Sequence, residues 1–285
     1  MKRIGIIGGS GIYNLEGIKK IDEVSISTPF GRPSESFIIS ELEGKELVFL
    51  PRHGRHHQIS PSGINYRANI YGMKKLMVDR IISISACGSL KEELKPLDFV
   101  IPDQFVDRTQ GRKDTFFDEG IVAHVSFSNP ICRSLAQSLK TAAQKIGVTA
   151  HFGGTYLNME GPQFSTLAES NLYRSWGMDI IGMTNLAEAK LAREAEICYV
   201  SLSAVTDYDC WHPTHDSVTL EEILINLKKN VDNSKKILRE FISLLGDESS
   251  CACNTALKYA IVTRPEFIPS KVKKDLALII GKYIK

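Results

Sequence analysis

The sequence lacks the charge excess, the long apolar runs and the dense cysteine content that would each indicate a specialised class of protein. Its 35 Lys and Arg residues nearly balance 33 Asp and Glu residues, so the formal net charge is +2. This balance provides no field that would attract nucleic acid or an anionic membrane. No apolar run approaches the ~20 residues of a membrane span, and residues 1–9 show no signal-peptide core. We therefore expect a cytoplasmic protein that binds neither nucleic acid nor membranes.

Cysteine is scarce, with six residues in 285. Four of them lie in apolar segments or at the ends of predicted elements, as small buried residues usually do. These four are Cys87, Cys132, Cys198 and Cys210. Cys251 and Cys253 are separated by one residue, which is closer than zinc ligands usually stand, and no second pair is visible in the sequence. We therefore expect no metal site. A disulfide or an inert pair explains Cys251 and Cys253 better, and their oxidation state is left open.

Apolar segments of strand length alternate with amphipathic segments of helix length, which predicts the α/β class. The predicted strands cover residues 3–7, 36–40, 46–50, 79–90, 98–107, 154–165 as far as a Gly-Pro turn, 178–184 and 197–204. The predicted helices begin at Ser60-Pro61 and Asn129-Pro130, cover residues 166–176, 185–195 and 270–285, and follow a capping box of Thr219 and Glu222. We expect one domain over residues 1–285, with a linker at residues 246–255.

Two segments indicate anion binding. Gly8-Gly-Ser-Gly-Ile12 follows the first strand, and Ser10 is a candidate hydroxyl donor to phosphate. A dinucleotide fingerprint fits less well, because Asn14 stands where its third Gly or Ala belongs; a plain Gly-rich turn stays open. The second segment is Pro51-Arg-His-Gly-Arg-His-His57. Arg52 beside His53 suits an oxyanion, whereas the alternative is a solvated basic loop.

Further strand ends add small residues, a hydroxyl and acids. Ser85, Ala86 and Gly88 leave room for a ligand against the backbone, and Thr184 lies at a strand-to-helix junction where phosphate can bind. Glu160 could grip vicinal hydroxyls or stabilise a turn. Asp207 and Asp209 follow a buried strand, where open α/β sheets bind their ligands. Anion donors, a carboxylate for a polyol and two acids together suggest an enzyme that uses phosphate on a nucleoside.

The motifs named above, in their order and spacing, resemble the 5′-methylthioadenosine phosphorylases of the trimeric purine nucleoside phosphorylase class. The resemblance covers residues 4 to about 245, and residues 246–285, with Cys-Ala-Cys and a terminal helix, match less well. It rests on six segments: residues 8–11, 52–57, 86–89, 103–109, 159–164 and 205–211. It implies a mixed central β-sheet flanked by helices, which is the nucleoside phosphorylase fold. Gly182 and Ala187 stand where some members have Asn and Pro.

The resemblance also implies roles for individual residues. Phosphate would be held by six of them: Ser10, Arg52, His53, Ser85, Ala86 and Thr184. Met183 would lie under the ribose, and the base would stack near Phe164 with Ser165, Asp207 and Asp209 at its polar edge. The methylthio group would lie against His57, Leu220, Ile223 and Leu224. His124, from the irregular segment 108–128, would come from a neighbouring subunit, and Glu160 would act only through other residues.

The expected reaction is phosphorolysis of S-methyl-5′-thioadenosine to adenine and 5-methylthioribose 1-phosphate. Phosphate attacks the ribosyl carbon while Asp207, kept protonated by burial and by Asp209, protonates N7 of the leaving base. Inorganic phosphate is a co-substrate, and no cofactor or metal is expected. A phosphorylase for 6-oxopurine nucleosides or methylthioinosine is the alternative, and a non-catalytic nucleotide-binding module is a third reading. The family implies a homotrimer or a dimer of trimers.

Overall fold

The protein is described by a computed structural model that covers residues 3–9, 11–12, 15–212, 220–246 and 251–284, with only the backbone of residues 220–223. Within those residues, no helix is long and apolar enough to cross a membrane. The predicted capping box of Thr219 and Glu222 lies outside the described residues.

Eleven strands of the described chain form one sheet. They are β1 (Arg3–Gly8), β2 (Lys19–Val24), β3 (Phe37–Leu42), β4 (Lys45–Pro51), β5 (Val78–Ser89), β6 (Phe99–Ile101), β7 (Gln104–Arg108), β8 (Ala150–Phe152), β9 (Thr155–Met159), β10 (Ile180–Gly182) and β11 (Cys198–Asp207). The main path runs β2-β3-β4-β1-β5-β10-β9-β7, and β11 joins β5 to β6, which pairs with β8. Parallel and antiparallel pairs both occur, so the prediction of a mixed α/β sheet is confirmed.

The sheet is organised around β5 and β11, which pair in parallel from Arg80 and Cys198 to Gly88 and Asp207. Both strands are largely buried and carry runs of Ile, Leu and Val between small polar residues, as expected of central parallel strands that are covered on both faces. A hairpin joins β3 to β4 through Glu43 and Gly44, whose φ angles are 52° and 75°. Positive φ at both turn residues matches the right-handed twist of the flanking strands.

Seven α-helices cover the sheet within the described residues. They are α1 (Tyr66–Lys75), α2 (Arg133–Lys145), α3 (Leu167–Ser175), α4 (Asn185–Glu194), α5 (Leu220–Leu244), α6 (Ser270–Asp275) and α7 (Ala277–Ile280). α3 begins at a capping box in which Thr166 and Glu169 exchange hydrogen bonds, as the sequence pattern predicts. The large core lies where α1, α4, α2 and α5 pack on β1, β4, β5 and β11.

Four boundary predictions are wrong. Ser60 caps a short 3₁₀ helix at Pro61–Gly63, and the side chain of Asn65 caps α1 instead. α2 begins after Cys132 rather than at Asn129-Pro130. One helix over residues 270–285 is replaced by α6 and α7, which meet at Leu276. The proposed linker extends less far, because residues 252–255 form a 3₁₀ helix that buries Cys253.

Candidate active site

A cavity of about 680 Å³ opens at the carboxyl ends of β1, β4, β5 and β11. This volume is in the range of small-molecule sites. Ten residues that the sequence singles out line it together: Arg52, His53, His57, Ser85, Ala86, Phe164, Met183, Thr184, Asp207 and Asp209. The fold therefore gathers motifs that are more than 150 residues apart in the sequence.

The strand pairing of β5 is interrupted beside the cavity, and this interruption leaves backbone N–H groups without a partner strand on one edge. β11 occupies one edge of β5 as far as Gly88. On the other edge, β1 pairs up to Ser83 and β10 pairs only with Gly88 and Ser89. Among the described residues, no strand pairs with this edge of β5 between Ser83 and Gly88. The stretch that contains Ser85 and Ala86 can therefore offer backbone N–H groups to an anion.

Arg52 is anchored more firmly than the sequence suggests. Its guanidinium is 2% exposed and forms a salt bridge to Glu188, with Nε 2.5 Å from Oε1. Nη2 also donates to Ser83 and to Glu188, and Nη1 donates to the Ile84 carbonyl at 3.1 Å. Four of the five N–H groups thus have protein acceptors, which leaves one on Nη1 for a ligand.

His53 and His57 form a stacked pair on the same side of the cavity, with ring centroids 4.4 Å apart. Nδ1 of His53 donates to the Ile59 carbonyl at 2.8 Å, which leaves Nε2 for a ligand. Burial, and next the Arg52 guanidinium, lower the pKa of His53 to about 4. The ring is therefore neutral at pH 7 before an anion binds.

The N-terminus of α4 contributes Thr184, which is buried at the cavity wall. Its hydroxyl makes no capping bond to the helix. A helix N-terminus carries a partial positive charge and favours phosphate. Because Met183 precedes Thr184 and also lines the cavity, the strand-to-helix junction presents a hydroxyl beside an apolar side chain.

Asp207 ends β11 at the opposite side of the cavity. Its Oδ1 accepts the Asp209 N–H at 2.8 Å, and its Oδ2 lies 2.6 Å from the Thr206 hydroxyl. Burial raises the pKa of Asp207 to about 6, against the lowering effect of both hydrogen bonds, and the Asp209 carboxylate raises it further. Gly88 makes this position possible, because a Cβ there would lie 3.0 Å from Oδ1 of Asp207.

Asp209 lies deeper and has a raised pKa, chiefly because of burial, although the hydroxyls of Ser170 and Ser165 lower it. The backbone of Asp209 has a φ of 53°, which turns its N–H toward Asp207. Ser165 does not line the cavity, whereas the neighbouring Phe164 does line it with 59% of its surface exposed. The cavity is therefore lined by the basic residues Arg52 and His53 and by the acidic and aromatic residues Asp207, Asp209 and Phe164.

The chain is similar in sequence to known proteins. The model of the phosphorylase superfamily matches residues 3–243. S-methyl-5′-thioadenosine phosphorylase of Koribacter versatilis is 57% identical over 98% of this chain and 96% of its own length. The enzyme of that name from Geobacter sulfurreducens is 54% identical over 99% of both chains. The chain belongs to the S-methyl-5′-thioadenosine phosphorylase family.

Solved structures agree with this assignment. The crystal structure of a methylthioadenosine phosphorylase from an antarctic soil metagenomic library superposes with a TM-score of 0.93, at 46% identity over 98% of both chains. The methylthioadenosine phosphorylase of Schistosoma mansoni in complex with adenine superposes with a TM-score of 0.84. It is 33% identical over 99% of this chain and 98% of its own. The nucleoside phosphorylase fold that the sequence predicts is thus confirmed.

Some predicted residues are not brought to the cavity. His124 is exposed and bonds through its N–H to the Ala260 carbonyl, outside the cavity lining. Leu224 is 54% exposed and does not line the cavity either. Ser10 and the side chains of Leu220 and Ile223 lie outside the described residues. The family roles expected for these five residues remain predictions.

The resemblance implies a role for the first residues of α5, but sequence reasoning missed the later turns of this helix, which line the cavity. Its lining residues are Leu227, Asn230, Val231 and Ser234. They recur at the spacing of one helical face, so the helix periodicity could have indicated them. Asn230 donates to the Val205 carbonyl at 2.9 Å and Asn226 donates to the Thr206 carbonyl at 2.8 Å, which ties α5 to the strand end that carries Asp207.

Arg112 is a second residue that sequence reasoning missed. It connects the irregular segment 108–128 to residues beside the cavity. Its guanidinium donates to the backbone carbonyls of Met183 and Glu160, the latter at 2.6 Å, and to the Glu160 carboxylate. Glu160 also accepts from the Ser62 hydroxyl and from the Gln110 N–H. Glu160 therefore positions its neighbours, in agreement with the indirect role that the family implies.

The departure at Gly182 has a structural reason. A Cβ at this position would lie 1.8 Å from the hydroxyl oxygen of Tyr156, so no larger residue fits beside that tyrosine. The hydroxyls of Tyr156 and Ser85 are buried without a hydrogen-bond partner among the described residues. The tyrosine from β9 thus occupies the space that a side chain at position 182 would need.

Within the part of the chain that the structure describes, one cluster could hold a metal ion, and it lies away from this cavity. It consists of Cys132, Cys198, Cys251 and Cys253. The prediction that Cys251 and Cys253 lack a second ligand pair is wrong, because the fold places Cys132 and Cys198 beside them. Because the two pairs are far apart along the chain, the spacing of cysteines in the sequence does not reveal this cluster.

Proposed function

We propose that this protein catalyses phosphorolysis of S-methyl-5′-thioadenosine, which yields adenine and 5-methylthioribose 1-phosphate. The observation that carries the proposal is the pairing of phosphate donors with a buried acid across one cavity. Arg52, His53 and Thr184 lie on one side, and Asp207, with its pKa raised to about 6, lies on the other. The comparisons support this reading over a 6-oxopurine or methylthioinosine enzyme.

The proposed reaction needs no covalent step on the protein. A phosphate oxygen attacks C1′ of the ribose while the bond from C1′ to N9 of the base breaks. Positive charge develops on the sugar between the phosphate anion and the departing purine, so positioning and electrostatic stabilisation account for the rate. Phosphate is held by Arg52, His53, Thr184 and the Ser85–Ala86 backbone, with Ser10 as a further donor.

Asp207 supplies the proton that makes adenine a neutral leaving group. The Thr206 hydroxyl lies within reach of both Oδ2 of Asp207 and the Cys87 carbonyl, 3.2 Å away. When it donates to Cys87, it can accept the proton of a neutral Asp207; when it donates to Asp207, it supports the carboxylate. Asp207 therefore has a suitable partner before and after the transfer, and it regains a proton from solvent when the products leave.

Specificity for adenine follows from the second acid. Asp209 accepts from the 6-amino group, whereas a 6-oxopurine presents an acceptor there and leaves a buried carboxylate unpaired, which costs about 1–3 kcal/mol. Phe164 stacks on the base and Met183 lies under the ribose. His57, Leu227 and Val231 line the cavity where the methylthio group would lie, and the family resemblance adds Leu220, Ile223 and Leu224 of α5 as further contacts.

The test is adenine release from S-methyl-5′-thioadenosine with and without inorganic phosphate, with formation of the sugar phosphate followed in parallel. Release should depend on phosphate and should yield one sugar 1-phosphate per adenine. Equal rates without phosphate would identify a hydrolase. Inosine and methylthioinosine serve as comparison substrates, and faster turnover of either one would contradict the role of Asp209 in adenine recognition.

A further inference from the structure

Four cysteines converge at the end of the molecule opposite the cavity. Cys132 precedes α2, Cys198 begins β11, and Cys251 and Cys253 flank the start of the 3₁₀ helix at residues 252–255. Cys132, Cys198 and Cys253 are buried, and Cys251 is partly buried. Three segments that are distant in the sequence thus each bring thiols to one point in the core.

The positions of the sulfur atoms resemble a tetrahedral coordination shell. All four lie within 4.8 Å of one another. Sγ of Cys251 is 3.6 Å from Sγ of Cys132 and 3.3 Å from Sγ of Cys253. An ion bound by four thiolates at about 2.3 Å holds its sulfurs about 3.8 Å apart, whereas a disulfide requires about 2.05 Å. The observed separations are closer to the first arrangement.

We propose that Cys132, Cys198, Cys251 and Cys253 bind one zinc ion. Four soft sulfur ligands in tetrahedral reach suit zinc, and among the described residues no carboxylate or imidazole belongs to the cluster and favours a harder ion. Four protein ligands complete the coordination shell and leave no position for a substrate, so the site is structural. Binding converts four thiols to thiolates and releases their four protons to solvent. The Ser134 hydroxyl, 3.2 Å from Sγ of Cys132, can donate to one thiolate.

The site has a mechanical consequence for the fold. It would fasten residues 251–284 to the start of β11 and to the loop before α2. Cys198 and Asp207 lie at opposite ends of β11, which separates them by about 30 Å at ~3.3 Å per residue. The ion is therefore remote from the reacting atoms, and the proposal does not depend on the substrate of the cavity.

The first measurement is the metal content of the full-length protein purified under reducing conditions without chelators. We expect about one zinc per chain. The second uses the same protein after zinc removal with a mercurial and a chelator, followed by reduction and titration with Co²⁺. One equivalent should produce the thiolate-to-cobalt charge-transfer and intense visible bands of a tetrahedral sulfur site. Added Zn²⁺ should abolish these bands, because zinc binds such a site more tightly than cobalt.

Variants locate the ion. Cys253→Ser and Cys198→Ser should each lose most of the bound zinc, whereas Cys210→Ser, a cysteine outside the cluster, should retain it. Reduced wild-type protein that fails to bind Co²⁺ would overturn the proposal whether or not the variants fold. A mass lower by 2 or 4 Da from disulfides among the four cysteines, with no bound metal, would also overturn it. Iron in place of zinc would contradict the choice of ion.

Discussion

Asp207 must be neutral to donate a proton, yet it is held by groups that favour its charge. The Thr206 hydroxyl and the Asp209 N–H both lower its pKa, and burial outweighs them. The resulting pKa of about 6 leaves a small protonated fraction at pH 7, which a bound base with a nearby basic N7 can select. The side chain is thus poised between its two states rather than fixed in either.

We predict that Asp207→Asn lowers kcat with methylthioadenosine by about 10²–10⁴-fold, the usual contribution of a positioned general acid. An amide has no transferable proton but can donate a hydrogen bond, so relative activity should shift toward 6-oxopurines. Steady-state kinetics with methylthioadenosine and inosine measure both effects. Asp209→Asn is the matched variant. For a given loss of kcat, it should lose more of the preference for methylthioadenosine over inosine than Asp207→Asn does. Unchanged selectivity in both variants would show that these acids do not read the base.

A pH profile tests the partner of the acid. In the free enzyme, kcat/KM should fall as pH rises above about 6, because only protonated Asp207 acts. Since the Thr206 hydroxyl lowers this pKa, Thr206→Val should move the falling limb to higher pH. Thr206→Ser keeps the hydroxyl and should leave the limb in place. A limb that does not move in Thr206→Val would assign it to another group.

Among the elements, α4 connects the most parts of the site. Its N-terminus presents Thr184, its first turns hold Arg52 through Glu188, and its last turn holds segment 108–128 through Glu194. Asn185 adds hydrogen bonds to Ser83, Tyr199 and Ser201. The helix therefore holds the proposed phosphate-binding residues in a fixed position relative to the central strands.

We predict that Glu188→Gln lowers the free energy of unfolding by about 3–5 kcal/mol, because it leaves the buried Arg52 guanidinium without a counter-charge. The KM for phosphate should rise more than the KM for nucleoside, since Arg52 faces phosphate. Denaturant unfolding and kinetics measure the two effects. The double variant Arg52→Met/Glu188→Met removes both charges and should be less destabilised than the sum of the two single Met variants. Additive losses, within about 0.5 kcal/mol, would mean that the pair is not coupled.

Glu194 makes the contact between α4 and the segment 108–128 dependent on pH. Burial raises its pKa from 4.5 to about 7, although it accepts hydrogen bonds from the Thr115 hydroxyl and the Phe116 N–H. The folded state therefore binds a proton that the unfolded state has lost, so this contribution to stability is full below pH 4.5 and disappears as pH rises through 7. The stability of wild type relative to Glu194→Gln should thus fall by about 3 kcal/mol between pH 4.5 and pH 8. A constant difference across this range would contradict the raised pKa.

At the scale of the whole molecule, α3 and its approach leave an apolar surface beside the cavity. Phe164, Leu167, Leu172 and Trp176 are exposed over 44% to 59% of their area. Apolar residues concentrated on one surface are typical of protein–protein interfaces. We propose that this surface is covered by another copy of the chain, which would also supply His124 to the site.

We predict a mass in sedimentation equilibrium of about three or six times 31.7 kDa, because the family resemblance implies a trimer or a dimer of trimers, and cyclic symmetry closes such an assembly. Specific activity should fall on dilution to concentrations at which the oligomer dissociates. Leu167→Asp should weaken association, whereas a substitution at the exposed Met77, on a different part of the surface, should not. A fully active monomer would contradict the contribution of His124 from a neighbour.

The sequence by itself determined the α/β class and the strand-end motifs. Apolar runs specify β5 and β11, and strand ends place Arg52, His53, Thr184, Asp207 and Asp209 in candidate positions. These signals are local, since they depend on residue spacing and turn chemistry, so a single sequence reveals them. The family resemblance assembled them into one site, and the comparisons confirm that family. The single domain, the compartment and the absence of a cofactor remain predictions.

Only the tertiary structure decided which distant residues meet. The pairing of Arg52 with Glu188, the contacts of Arg112 with the Met183 and Glu160 carbonyls, and the fit of Tyr156 beside Gly182 join residues without any common sequence pattern. The four cysteines converge for the same reason, because strand register and helix packing set their separation. Burial is also a property of the fold, and it raises the pKa of Asp207 to the value that the proposed reaction requires.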